Sequence, residues 1–255
     1  MLLMKLLLVP LLIAAVTLAG RRFGPTLAGW LTATPIVAGP IVLFIALEQG
    51  ASFAALSAQS TLSGVVSLGA FCLVYALCCA HAAWPVALGA GWLAFGVSTL
   101  ALERLEPPFG MALGLALAVP SGLPALFPKR RWRGAPGSPH PLELPTRMLA
   151  AAALVTLVTA LAQRLGPGLS GLLTPFPIAT SVVAVFSHRA DGADFAIPLL
   201  RALTAGLFGF VAFFMVLAVG LPALGVAAGF SVATAAAIAG QVFALGVARR
   251  FPASV

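Results

Sequence analysis

The chain is a succession of long apolar runs with almost no period-two alternation. A helix needs about 20 apolar residues to cross a bilayer. Nine runs approach or exceed that length: 3–20, 26–47, 55–79, 83–102, 108–127, 148–163, 168–187, 197–219 and 223–247. They are rich in Ala, Leu and Gly, which predicts helices rather than the alternating strands of a barrel. The fifth run is Gly-rich and carries Pro120 and Pro124 near its end. The first resembles a secretion signal, with Lys5, an apolar core and small residues. It aligns with the sixth run, which lies mid-chain, so it is read as a helix.

The pattern repeats. At an offset of 142 residues, Arg22 meets Arg164, Gly24-Pro25 meets Gly166-Pro167, and Gly29, Leu31 and Thr32 meet Gly171, Leu173 and Thr174. Pro35-Ile36 meets Pro177-Ile178, Gly50-Ala51 meets Gly192-Ala193, and Phe53-Ala54 meets Phe195-Ala196. Residues 22–54 share 14 identities over 33 positions with 164–196, without a gap. The predicted organisation is therefore a four-helix repeat (1–106), a linker helix (107–127), a basic Pro-rich cytoplasmic linker (128–147) and a second four-helix repeat (148–255). Five spans separate the two starts, so the copies are expected to be inverted. Inverted repeats recur in secondary transporters, where two equivalent halves allow states open to opposite sides.

Both repeats break the same helix. Pro35 stands mid-run in the second span, and Pro175 and Pro177 in the seventh. Proline removes a backbone donor and clashes one turn back. In hydrocarbon no water compensates the freed carbonyl. Thr32, Thr34, Thr174, Thr180 and Ser181 lie within about one turn of these prolines, and their hydroxyls suit either the freed carbonyls or a substrate. Gly24, Ala28 and Gly29, with Gly166, Gly168, Ser170 and Gly171, form small-residue faces for close helix contact.

Composition confirms the class of protein. Of 255 residues, 61% are hydrophobic and 8% charged, against about 25% charged in a soluble domain. Mean hydropathy is +1.11. The net charge of +8 belongs to topology rather than to nucleic acid. Arg21, Arg22, Lys129, Arg130, Arg131, Arg133, Arg147, Arg189, Arg201, Arg249 and Arg250 fall on one side of the nine spans; only Lys5, Arg104 and Arg164 fall on the other. The positive-inside rule then places the N-terminus outside and the C-terminus in the cytoplasm of a bacterial inner membrane. Lys129, Arg130, Arg131 and Arg133 form a cluster suited to anionic lipid headgroups, or simply to halting translocation. Cys72, Cys78 and Cys79 share one apolar run, no disulfide framework, and read as packing residues.

No Asp or Glu is central in a span; Glu48, Glu103, Glu106, Asp191 and Asp194 all fall at predicted ends. That weighs against a proton antiporter and a cationic cargo. His188 is a candidate gate or headgroup-level residue. Arg201, about one turn into the eighth span, either snorkels or holds an anion. No catalytic motif, metal-ligand spacing or cofactor fingerprint stands out, so no enzyme, metal or cofactor is expected.

The segment SGLLTPFPIAT, Ser170 to Thr180, resembles the loop-helix motif of GlpM-type small bacterial membrane proteins, four-helix proteins about half this length. Gly171, Leu172, Leu173, Phe176, Pro177 and Gly192 fit that pattern; Trp30 and Thr34 depart from it in the first half. The resemblance implies an inner-membrane protein and supplies no catalytic residues. The plan is also similar to that of drug/metabolite transporters, as an architectural likeness only.

The expectation is an all-α polytopic membrane protein of about nine transmembrane helices in two inverted repeats. It would transport a small neutral or anionic substrate, lipid-linked molecules included, by alternating access. The site would comprise Thr32, Thr34, Pro35, Thr174, Pro175, Pro177, Thr180 and Ser181, with His188 and Arg201 as gate or anion contacts. The competing expectation is a non-transporting scaffold or accessory protein of envelope biosynthesis, in which the kinks only pack.

Overall fold

Apolar side chains cover both the inside and the outside of this structure, and helices are the only regular elements among the described residues. The computed structural model describes residues 2–132, 134, 142–164 and 176–250. The helices are α1 (Leu2–Phe23), α2 (Pro25–Thr32), α3 (Ala38–Gln49), α4 (Ala51–Cys79), α5 (Trp84–Leu105), α6 (Phe109–Gly122), α7 (Glu143–Arg164), α8 (Ile178–Asp191) and α9 (Ala193–Arg250). A 3₁₀ turn, Leu123–Leu126, closes α6. Non-helical backbone at Gly225 divides α9 into limbs 193–224 and 226–250. Among the described residues, four helical stretches are long and apolar enough to cross a membrane: Ala51–Cys79, Trp84–Leu105, Phe109–Leu126 and Ala193–Gly246. Leu93, Val97 and Leu100 of α5 are 69%, 59% and 50% exposed. Apolar faces of this kind are costly in water and neutral in lipid.

α4 and α9 form the centre. They pack along each other, with α5 and α6 against α4, α2 against α9, and α1 against α7. Tyr75, Phe71, Leu62, Leu207, Phe214 and Leu217 are fully buried there. The central pair is antiparallel: Cys72, late in α4, meets Thr204, early in α9. The α1–α7 pair is antiparallel too, because Arg147 in the first turns of α7 donates from Nη1 to Thr17 Oγ1 near the end of α1, at 3.2 Å.

Glycine sets the corners. Gly50 (φ 90°, ψ 162°) separates α3 from α4, and Gly192 (φ 76°, ψ −173°) separates α8 from α9. This region of backbone space is essentially closed to residues with a Cβ. The two glycines are 142 residues apart and share the conformation. Helix bounds follow the same offset: α4 moved by 142 gives 193–221, α5 gives 226–247 and α1 gives 144–165.

Several expected boundaries change. The second span is two helices, with 33–37 non-helical between them, because Pro35 cannot donate to Leu31. α3 restarts with Pro40 in its first turn, where no intrahelical donor is needed. The linker expected at 128–147 ends sooner, since α7 begins at Glu143 and places Pro145 in its first turn, where proline is tolerated. Arg147, expected in a loop, is in that helix and 4% exposed. Arg201 lies two turns into α9 rather than one, because α9 starts at Ala193.

The tightest contact is α2 on α9. A Cβ at Gly29 would collide with the Leu199 carbonyl oxygen and lie 2.7 Å from the Leu203 nitrogen. Gly206 faces Ala33 and Trp30 in turn. Overpacking costs about 1–3 kcal/mol or more. Gly29→Leu is therefore expected to lower the thermal midpoint in detergent sharply. Gly114→Leu, at a position with nothing within 4 Å, should leave it nearly unchanged.

Candidate functional site

The two proline sites are accommodated by different devices. At the first, the Leu31 carbonyl has lost the N–H that Pro35 lacks. Thr34 supplies two replacements, its backbone N–H at 3.2 Å and its hydroxyl at 2.6 Å. Thr32 Oγ1 donates to the Ala28 carbonyl at 2.8 Å. At the second, Pro177 (φ −77°, ψ 59°) makes an inverse γ-turn, in which Ile178 N–H reaches the Phe176 carbonyl at 2.8 Å. Ser181 N–H then bonds the Pro177 carbonyl at 2.8 Å and opens α8. Thr174 and Pro175, and most of the GlpM-like stretch, lie outside the described residues.

The breaks face different neighbours. Residues Trp30 to Ala33 press on Gly206 of α9. Phe176 packs against Trp92 and Phe95 of α5, with ring centroids 5.4 and 5.7 Å away. Trp92 Nε1 donates to Ser181 Oγ at 3.0 Å, a pairing that neither residue's sequence context revealed. Thr180 and Ser181 are buried; Thr32, Thr34 and Pro35 are half-buried. The hydroxyls of Thr32, Thr34 and Ser181 are thus engaged within the protein.

One end of the molecule gathers cations and aromatic rings. Arg189 stands over the ring of Trp84 at 5.7 Å, and Arg147 over Phe186 at 5.5 Å. His188 Nδ1 lies 3.4 Å from the Tyr75 hydroxyl, with the two rings edge-on. Trp132 meets Phe195 edge-on at 5.4 Å, and its ring lies 3.5 Å from the Cβ that Gly24 lacks. This holds the segment after α6 against the α1–α2 corner.

Beneath that segment is a half-open cleft of about 930 Å³. Arg130, Arg131 and Trp132 form its mouth, and Arg201 projects from α9. Pro120 and Pro124, at the end of α6, stand in its wall; both were legible in the sequence only as punctuation. Its floor is apolar: Trp30, Ala202 and Ala244 cluster there with Ala205 and Phe208. No acid is among its lining residues. Asp194 lies at its edge, 3.5 Å from Arg130, in an exposed pair. Such pairs contribute little, so the cleft stays positive and suits an anion.

Of the residues expected at the site, the structure brings only Arg201 into this cleft, together with Arg130 and Arg131 of the basic cluster. Lys129 is exposed beside it, and Arg133 lies outside the described residues. His188 is paired with Tyr75 elsewhere at that end. Trp30 stood out in the sequence only as a departure from the GlpM-like pattern, and Trp132 carried no signal beyond its type. No protein-family model, curated protein or solved structure matches this chain.

Thr34→Val removes the hydroxyl bond to Leu31 and is expected to cost about 1 kcal/mol, seen as a lower thermal midpoint; Thr34→Ser should restore it. Equal midpoints for Thr34→Val and the parent chain would separate this hydroxyl from helix repair.

Proposed function

We propose that this chain is an inner-membrane transporter of a small anionic or neutral substrate, built from two four-helix repeats of opposite orientation that exchange access between the two sides. The observation that carries this reading is the antiparallel pairing of matched helices. α1 lies against α7, and α4 against the first limb of α9, each helix paired with its counterpart 142 residues on. Two copies related by an in-plane two-fold would meet in this way. The shared backbone of Gly50 and Gly192 supports the same relation. So do Thr99 and Gln241, matched positions with buried polar atoms that lack partners among the described residues.

The orientation proposed is N-terminus outside and C-terminus cytoplasmic. Arg130, Arg131, Arg147 and Arg189 converge at one end, which becomes the cytoplasmic end by the positive-inside rule. One observation favours the competing reading of a scaffold. The threonines beside the first break donate to backbone carbonyls, as hydroxyls do when a kink serves packing alone.

Solvent access separates the two. With Cys72, Cys78 and Cys79 replaced, single cysteines at Thr34, Thr180 and Ala205 are tested with a small membrane-impermeant thiol reagent from each side. Cysteines at Lys129 and Glu106 serve as loop controls. The transporter predicts labelling at 205 from the Lys129 side, and labelling at 34 or 180 that changes side with conditions. Silence at all three positions while both controls react would leave the scaffold standing. Reaction of both controls from one side would overturn the orientation.

A further inference from the structure

We propose that the cleft between α2, α6 and α9 holds a phosphate-bearing amphiphile, its anionic headgroup between Arg131 and Arg201 and its apolar tail along Trp30, Ala205, Phe208 and Ala244. The cleft is graded in polarity along α9. Arg201 stands at one level, and Phe208 seven residues further, about 10 Å along the helix axis. Arg130 and Arg131 add their charge at the Arg201 end. Trp30 and Ala244 are 8% and 3% exposed, and with Ala205 and Phe208 they make a packed apolar wall toward the other. A solute that is charged at one end and apolar at the other matches both.

The chemistry of the charged end favours phosphate. Guanidinium groups present planar, paired donors that match phosphate oxygens, and they stay charged at every accessible pH. Among the described residues, three guanidiniums line the cleft with no acid beside them in its lining, and the Asp194 carboxylate at its edge pairs with one of them. α2 also begins at this end, with Pro25 and Thr26 in the wall, so the positive end of its dipole adds to the same field.

Size and access favour an amphiphile over a free ion. Inorganic phosphate would leave most of 930 Å³ empty, a volume typical of sites for much larger molecules. Phe23, 63% exposed, stands at the rim beside Gly24 and Pro25. In the membrane reading, this exposed ring gives the opening an apolar side that an acyl chain can meet. As a cargo class this rests on the transport reading. Binding at equilibrium needs no transport, so the labelling experiment and the one below can fail separately.

The test is native mass spectrometry of the purified full chain in mild detergent, titrated with phosphatidylglycerol, with diacylglycerol of the same chains, and with inorganic phosphate. Phosphatidylglycerol is expected to be retained, diacylglycerol not, and millimolar phosphate is expected to displace little. Arg201→Gln and Arg131→Gln should each weaken retention about tenfold. Arg201→Lys should weaken it less, and Arg104→Gln, far from the cleft, not at all. Should Arg201→Gln lower the thermal midpoint, Arg131→Gln at an exposed position carries the comparison. Unchanged retention in both cleft variants, or an equal loss in Arg104→Gln, overturns the site. Arginine-dependent binding of inorganic phosphate with no advantage for phosphatidylglycerol overturns the amphiphile and leaves a free-anion site.

Discussion

Every backbone N–H and C=O of a chain in hydrocarbon has to find its partner within the protein. That constraint organises this structure from its helix lengths to its corners. Among the described residues, several departures from helix fall where a residue suits them. Gly50, Gly192 and Gly225 take backbone angles closed to other residues. Pro177 makes a tight turn that returns an N–H to Phe176 at once. At Pro35, where an interior carbonyl loses its donor, Thr34 supplies both of its own. The break survives because it is repaired locally and pressed against α9 through Gly29 and Gly206.

The same constraint explains why small residues rather than large ones join the helices. Lipid offers no hydrophobic drive for helix association, so stability comes from close contact and dispersion. α2 approaches α9 closely enough that a single added carbon at Gly29 would strike the Leu199 carbonyl. Gly209 and Gly240 bring the two limbs of α9 together in a similar way, with about 3 Å between the Cβ that Gly240 lacks and the Gly209 backbone. Large side chains turn outward, or fill the α4–α9 seam where Phe71, Tyr75 and Phe214 are buried.

Charge is then left with few places to go. Most of the described cations lie at one end, several of them against rings and hydroxyls: Arg189 on Trp84, Arg147 on Phe186 and Thr17. Arg130 has Asp194, in an exposed pair. A protein with so few acids, all near helix ends, keeps a positive surface wherever a cleft opens among its arginines. Here one opens beside Arg201, and its inner wall is apolar because Trp30 of α2 and Ala202, Ala205, Phe208 and Ala244 of α9 form it.

How much of this was legible in the sequence depends on the range of the cause. Helix content, four helices long and apolar enough to span a membrane, and the break at Pro35 follow from hydropathy, proline and glycine, which act within one or two turns of where they stand. The basic cluster and Arg201 were visible as charges without locations. Tertiary structure alone decided that Arg201, Arg130 and Arg131 share a cleft with Trp30, residues separated by more than 170 positions at the extreme. It also decided that Ser181 meets Trp92 and that Arg147 is buried against Thr17 rather than free in a linker. A local pattern determines where a helix starts, stops or breaks. Which side chains converge is set by how the helices cross, and that depends on contacts such as Gly29 against Leu199, which involve two distant stretches at once.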